Sequence, residues 1–263
     1  MSAKVIAIIN QKGGVGKTSM TFQVGSILKK VSNYRVLLID MDPQCNLSSI
    51  MGADTNNYSI LDALLGNVEA EFIIQHCKYS DIIVSNGNLA SYEKRFVGEK
   101  AEYRLKQIIE PLKDMYDFIL IDSPPALSVL TVGILTASDG FVIPATADIY
   151  SIQGITQIHE TYLAVKEYTN PNLEIYGVAF SRYNFEVDAK IFKSIKNVCE
   201  ELEINLFPVI IRESVDIRIS LLYSQSLLDY APESGVLKDY MLFVKHLLRK
   251  LKGSTENGDN IKG

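Results

Sequence analysis

Residues Gln11-Lys12-Gly13-Gly14-Val15-Gly16-Lys17-Thr18-Ser19 bring glycines, lysines and hydroxyls into one short stretch. Glycines let a backbone approach an anion and turn its N–H groups inward, and a helix beginning there adds positive potential. That chemistry is the cradling of a nucleotide's phosphates. Lys17 would reach the β- and γ-phosphates and Thr18 would ligate Mg²⁺, with Gly13, Gly14, Val15, Gly16 and Ser19 completing the cradle. Two further stretches supply carboxylates. Asp40-Met41-Asp42-Pro43-Gln44-Cys45-Asn46 lets one carboxylate hold a metal's water shell while the other orients an attacking water. Phe118-Ile119-Leu120-Ile121-Asp122 runs apolar residues into an aspartate that can reach Mg²⁺ through water, and Ser123-Pro124-Pro125 makes a rigid loop beyond it. None of the histidines has metal-ligand spacing or lies near a serine or cysteine motif, so a nucleophilic triad is not indicated.

These groups need strand ends and helix starts to hold them. Lys4–Asn10 reads as a buried strand, Met20–Val31 as a helix with Phe22, Val24, Ile27, Leu28 and Val31 at helical spacing, and Arg35–Asp40 as the next strand. That is a βαβ unit. Short helices are expected at Ser59–Leu65 and around Phe72, a strand at Asp81–Ser85, and a longer helix at Glu99–Met115. Strands come next at Asp117–Asp122 and Gly140–Pro144, then a helix at Ser151–Tyr168 and a strand at Leu173–Ser181. Val187–Leu202 reads as a helix, Asn205–Ile210 as a strand and Glu233–Lys252 as the last helix. The alternation predicts an α/β fold, a doubly wound, mostly parallel sheet of about seven or eight strands flanked by helices. Ligands bind at the C-terminal strand ends of such sheets. Residues 1–252 are expected to form one domain and 253–263 a disordered tail.

The 263 residues, 47% hydrophobic and 22% charged, suffice for a full core. No apolar stretch is long enough to span a membrane, and the chain enters its first strand without a secretory pattern. Cys45, Cys77 and Cys199 are far apart and odd in number, which fits a reduced, cytoplasmic compartment. The net charge of −5 opposes polyanion binding through bulk charge, so contact with nucleic acid would need a local basic patch.

The usual phosphate-loop pattern would place glycine where Gln11 stands, and Lys12 adds a second lysine before the glycine pair. In this the chain resembles the deviant Walker A motif of the ParA/MinD class of ATPases, most closely the short Soj-type partition ATPases. The resemblance implies a homodimer that sandwiches two ATP molecules, with Lys12 crossing to the partner's nucleotide. It also implies that Asp40 supports the metal, that Asp42 is needed for hydrolysis, and that Asp122 is the Walker B aspartate. Cys45 stands where the family usually has glycine. Arg182 and Pro208 fall in stretches that match places where relatives contact adenine.

Further implications are partition of plasmids or chromosomes, nonspecific DNA binding on the nucleoid by the ATP dimer, and release when a ParB-like partner stimulates hydrolysis. With the first strand at Lys4, no N-terminal DNA-binding domain is expected. Glu186 and Asp216 replace arginines that Soj-type relatives commonly carry. DNA contacts are therefore expected instead from Arg212, Arg218, Lys245, Arg249 and Lys250, with Lys190, Lys193, Lys196 and Lys252 as other basic positions. The alternative is a MinD-like membrane-positioning ATPase using the last helix, where Met241, Leu242, Phe243, Val244, Leu247, Leu248 and Leu251 lie beside Lys245, Arg249, Lys250 and Lys252. That helix occupies a core-packing position, so membrane contact is not expected. An electron carrier of the nitrogenase-reductase type would need paired cysteines that this chain lacks. A module that binds nucleotide without hydrolysing it is opposed by Asp40 and Asp42.

Overall fold

The structure, a computed structural model, describes residues 2–92, 100–184 and 188–256. Its first half contains β1 (Lys4–Ile8), α1 (Lys17–Lys30), β2 (Val36–Asp40), α2 (Asn46–Ile50), α3 (Ile60–Leu64), β3 (Ile74–His76) and β4 (Asp81–Ile83). Then come α4 (Arg104–Ile109), β5 (Phe118–Asp122), α5 (Val129–Ala137), β6 (Gly140–Ala145) and α6 (Ile149–Tyr168). The chain closes with β7 (Glu174–Tyr183), α7 (Ala189–Glu201), β8 (Leu206–Arg212), α8 (Val215–Leu222), α9 (Leu227–Tyr230) and α10 (Gly235–Glu256).

The strands form one eight-stranded sheet in the order β3-β4-β2-β5-β1-β6-β7-β8. All pairings are parallel except β3 with β4. The reason for the layered fold is visible in β1, β2 and β5, whose side chains alternate between two cores. Val5, Ala7, Leu37, Ile39, Ile119 and Ile121 enter one, and Ile6, Ile8, Val36, Leu38, Phe118 and Leu120 the other. A strand buried on both faces needs apolar residues at every position, which explains the uninterrupted runs in the sequence. Helices α3 to α7 cover the first core, while α1, α9 and α10 cover the second.

Several expectations are adjusted. The helix expected at Glu99–Met115 is broken into a 3₁₀ turn at Ala101–Tyr103, α4, and a second 3₁₀ turn at Glu110–Asp114, where Pro111 lacks the N–H that would continue an α-helix. Glu99 itself lies outside the described residues. The region around Phe72 is a 3₁₀ turn, Ala70–Ile73, leading into the unforeseen strand β3. Helix α6 starts at Ile149, with Asp148 capping it by accepting from Tyr150 N at 3.0 Å and Ser151 N at 3.2 Å. Helix α10 spans Gly235–Glu256, where Glu233–Lys252 is expected. Residues 257–263 lie outside the described part.

Candidate active site

The loop between β1 and α1 is held from several sides. Asn10 donates from Nδ2 to Pro144 O at 2.7 Å and accepts from Lys12 N at 2.9 Å, and Ser123 Oγ donates to Ile8 O at 2.9 Å. Gly14 and Gly16 have φ of 75° and 90°, the left-handed conformation that glycine takes without strain. Gly16 caps α1 directly, so the turn that reverses the chain also starts the helix. Val15 is fully buried and offers only its backbone.

Lys17 opens α1 and is 6% exposed, its Nζ donating to Lys12 O at 3.1 Å. Burial holds its pKa below the ordinary lysine range, while the charges of Asp122 and Asp42 pull the other way. A buried ammonium at a helix start is suited to an anion. The cleft beside it measures about 380 Å³. One wall is the glycine loop with Thr18, Ser19, Asp42 and Pro125. The other is Ser181, Arg182 and the β8–α8 segment, including Arg212, Glu213 and Arg218.

Asp40 and Asp122 are register partners at the ends of β2 and β5, and both are fully buried. Burial pushes the Asp40 carboxyl up to about 6 despite hydrogen bonds from Ser48. Burial, and then the nearby charge of Asp40, drives Asp122 well above the carboxylate range, although Thr18 and Lys17 oppose the shift. Asp40 uses both oxygens to organise the loop that carries Asp42. Its Oδ2 accepts from Ser48 N at 2.9 Å and Ser48 Oγ at 2.7 Å, and its Oδ1 accepts from Asp42 N at 3.0 Å.

Asp122 differs, because its Oδ2 is buried with no hydrogen-bond partner while its Oδ1 lies 3.5 Å from Thr21 Oγ1. An orphaned carboxylate oxygen next to the Thr18 hydroxyl fits Mg²⁺ with its water shell. Among the described residues, no cluster of His, Cys, Asp and Glu could hold a metal by itself. Thr18, Asp122 and the phosphates of a nucleotide would have to share that role.

Lys12 leaves the cleft. It lies in an adjoining hollow with Thr146, Asp148, Arg182 and Glu213, paired with the Asp148 carboxylate and 3.3 Å from Thr146 Oγ1. Cys45 has φ of 57°, so it occupies a left-handed position where glycine would be unstrained. Arg182 lines the cleft but donates to Gly14 O at 2.8 Å.

Pro208, expected at adenine, lies mid-strand on the exposed side of β8, away from the cleft, where the missing N–H suits an edge strand. Arg212 is fastened to Asp239 of α10, with Nε–Oδ2 at 2.6 Å and Nη2–Oδ1 at 2.9 Å. That bidentate bond ties β8 to α10, so Arg212 is not a free cation. Arg218 opens onto the cleft. Lys245 and Arg249 are exposed on α10, whereas Lys250 is half-buried and its pKa is lowered by that burial. Glu186 lies outside the described residues, and Asp216 is in the first turn of α8. Sequence reasoning missed Asp148, Thr146, Ser181 and Glu213. Only Asp148 carries a local signal, as a capping residue ahead of a helix.

A buried lysine at a glycine-turned helix start, backed by strand-end carboxylates of a parallel sheet, defines a phosphate-loop nucleoside triphosphatase. Residues 3–175 match the AAA domain family. The chain belongs to that family and is an ATPase of the ParA/MinD type. It is 32% identical over 249 residues to the sporulation initiation inhibitor protein Soj of Bacillus subtilis, covering 93% of this chain and 98% of that protein. Chromosome partitioning protein ParA of Myxococcus xanthus is 28% identical over 252 residues, covering 94% of this chain and 88% of that protein. Among solved structures, cobyrinic acid a,c-diamide synthase from Mycobacterium smegmatis with bound ADP and magnesium superposes with a TM-score of 0.83 at 28% identity, covering 96% of each chain. An ATP complex of Cyanothece McdA shares the fold, with a TM-score of 0.84 at 24% identity over 94% of this chain and 97% of that one.

Proposed function

We propose that the chain is a Mg²⁺-dependent ATPase of DNA partition that dimerises around ATP, binds nonspecific DNA in that state and is released when a ParB-like partner stimulates hydrolysis. The observation that carries the reading is the division of labour between the two lysines. Lys17 is buried against the strand-end carboxylates, while Lys12 is turned out of the same cleft toward solvent-facing residues. Leu127, Ile149 and Tyr150, exposed by 43%, 70% and 68%, follow Pro125 and Asp148 and leave this face apolar and uncovered. A second subunit seated there would cover them and receive Lys12 at its nucleotide.

In this mechanism Lys17 would hold the β- and γ-phosphates, and Thr18 and Asp122 would hold the metal, which would supply charge neutralisation when bound. Asp42, fixed by Asp40, orients water in line. Lys12 of the partner adds charge at the developing transition state, as an arginine finger does. The sheet separates the basic residues considered for DNA, because α7 carries Lys190, Lys193 and Lys196 on one face while α10 lies on the other. Lys238, Lys245, Arg249 and Lys252 form an exposed stripe along α10, and this is the surface assigned to phosphates.

The test is sedimentation with ADP and ATP, followed by gel shift on a nonspecific duplex across a salt series. ATP-dependent dimers and ATP-dependent, salt-sensitive binding that Lys245→Glu with Arg249→Glu abolishes are expected. A monomer in both nucleotides, or binding indifferent to ATP, would refute the reading. Met241 and Leu242, exposed by 40% and 46% within the stripe, favour one second reading, a MinD-like hold on anionic membrane. ATP-dependent co-sedimentation with anionic vesicles, without DNA binding, would select it. Among the described residues no helix is long and apolar enough to cross a membrane.

A further inference from the structure

We propose that Arg182 is a positioning residue that aims the phosphate loop, and not a contact to the nucleotide base. Two consecutive side chains at the end of β7 take two consecutive carbonyls of the loop. Ser181 Oγ donates to Val15 O at 2.5 Å, and Arg182 Nη1 donates to Gly14 O at 2.8 Å. Because a peptide group is planar and trans, a carbonyl drawn toward β7 aims the next N–H the opposite way. These two bonds therefore fix the orientation of the Gly14–Val15 and Val15–Gly16 peptide groups, and with it the direction of the Val15 and Gly16 N–H groups, in a loop whose Gly14 and Gly16 line the cleft.

The backbone of Arg182 adds an independent observation. Its φ is 54°, a left-handed conformation that a non-glycine residue keeps only where its surroundings impose it. Its surroundings are Gly14 on one side and Glu213 on the other, with Nη2–Oε1 at 3.4 Å. A planar guanidinium can serve a carbonyl and a carboxylate at once, which an ammonium on a flexible stem does less well. Arg182 and Glu213 also line both the nucleotide cleft and the hollow that holds Lys12. The strut thus stands between the two lysines' environments.

This inference rests on the ATPase reading of the cleft, and the test separates the two. Binding of ATP, GTP and inorganic tripolyphosphate is measured calorimetrically with Mg²⁺ for the wild type and for Arg182→Met, Arg182→Lys and Arg182→Gly. A loss of roughly tenfold for all three ligands alike is expected in Arg182→Met, with partial recovery in Arg182→Lys. Arg182→Gly should bind as weakly as Arg182→Met, yet melt no lower than the wild type without ligand, because glycine accepts the left-handed backbone. A residue that merely supported the fold would lower both. Unchanged tripolyphosphate affinity with a lost preference between ATP and GTP would make Arg182 a base contact and overturn the proposal. Unchanged affinity for all three ligands would also overturn it. Failure of the wild type to bind ATP would instead refute the ATPase reading.

Discussion

The Lys12 ammonium is paired with the Asp148 carboxylate of its own subunit, across 136 positions of sequence. Burial alone would raise the Asp148 pKa, but hydrogen bonds from Lys12 and Thr146 outweigh it and hold the carboxyl below its ordinary range. In the proposed ATP dimer, a lysine so engaged would have to exchange partners before it could reach a neighbouring subunit. Asp148→Asn keeps an oxygen for the cap of α6 and removes the competing charge. The concentration at which half the protein dimerises with ATP should fall by about threefold to tenfold. Sedimentation equilibrium with a nonhydrolysable analogue measures it, and an unchanged or higher midpoint would remove Asp148 as a competitor.

Cys45 tests backbone strain. Its left-handed conformation is unfavourable for any residue with a Cβ, by about 1–2 kcal/mol. Cys45→Gly gives up the Sγ contact to Pro43 O at 3.4 Å and adds freedom to the unfolded chain. The net expectation is a gain of about 0.5–1 kcal/mol in urea unfolding. Burial first, and the charge of Asp40 next, push the thiol pKa upward. Alkylation at neutral pH should accordingly be slower than for an exposed cysteine.

The carboxylate cluster makes the ligand-free protein sensitive to pH. Asp40 and Asp122 are raised in the folded state, so folding binds protons and stability declines as pH rises through the folded value. With Asp40 near 6, the melting temperature of the nucleotide-free protein should increase as pH falls from 7 toward 5. Asp122→Asn should flatten that rise and stabilise the free protein by about 1–2 kcal/mol at pH 7, while Mg²⁺-dependent turnover collapses. A less stable variant with an unchanged pH slope would contradict this account.

Asp229 has the opposite sign. It accepts from Lys30 Nζ at 2.6 Å, Lys78 Nζ at 2.8 Å and Tyr79 OH at 2.9 Å, and the Lys30 and Lys78 hydrogen bonds place its pKa far below that of a free carboxylate. Its folded pKa is depressed, so the stabilisation is present above about pH 4 and disappears as pH falls below that. Asp229 is 28% exposed, and screening limits the effect of Asp229→Asn to about 1 kcal/mol at pH 7. The difference from wild type should shrink steadily as pH falls below about 4, and shrink in high salt. A difference that persists in acid would point to packing instead of charge.

Much of this molecule was legible because its central strands leave no choice. The runs Val5–Ile8, Val36–Ile39 and Phe118–Ile121 are apolar at every position and lead into the glycine loop, Asp40 and Asp122, so motif and fold reinforce one another. Helix α5 was not legible, since Val129–Ala137 is apolar on nearly every side and shows no helical period. Strand β3 is three residues long, too short for a pattern. The pairing of Lys12 with Asp148 and the hold of Arg182 on Gly14 join distant segments through single side chains, and no local rule anticipates them. Pro208 and Arg212 were placed by position along the chain, whereas the tie to Asp239 and the edge location of β8 are tertiary facts.

The two borders of the sheet bear on how copies of this chain meet. At one border β3 offers three residues, and at the other β8 carries Pro208, which has no N–H to donate. Neither border is a long backbone template, so growth by strand addition, the route to irreversible aggregates, finds little purchase. Self-association is left to side chains and to whatever the cleft holds. Under the proposed function, assembly of that kind would end when the ligand changes.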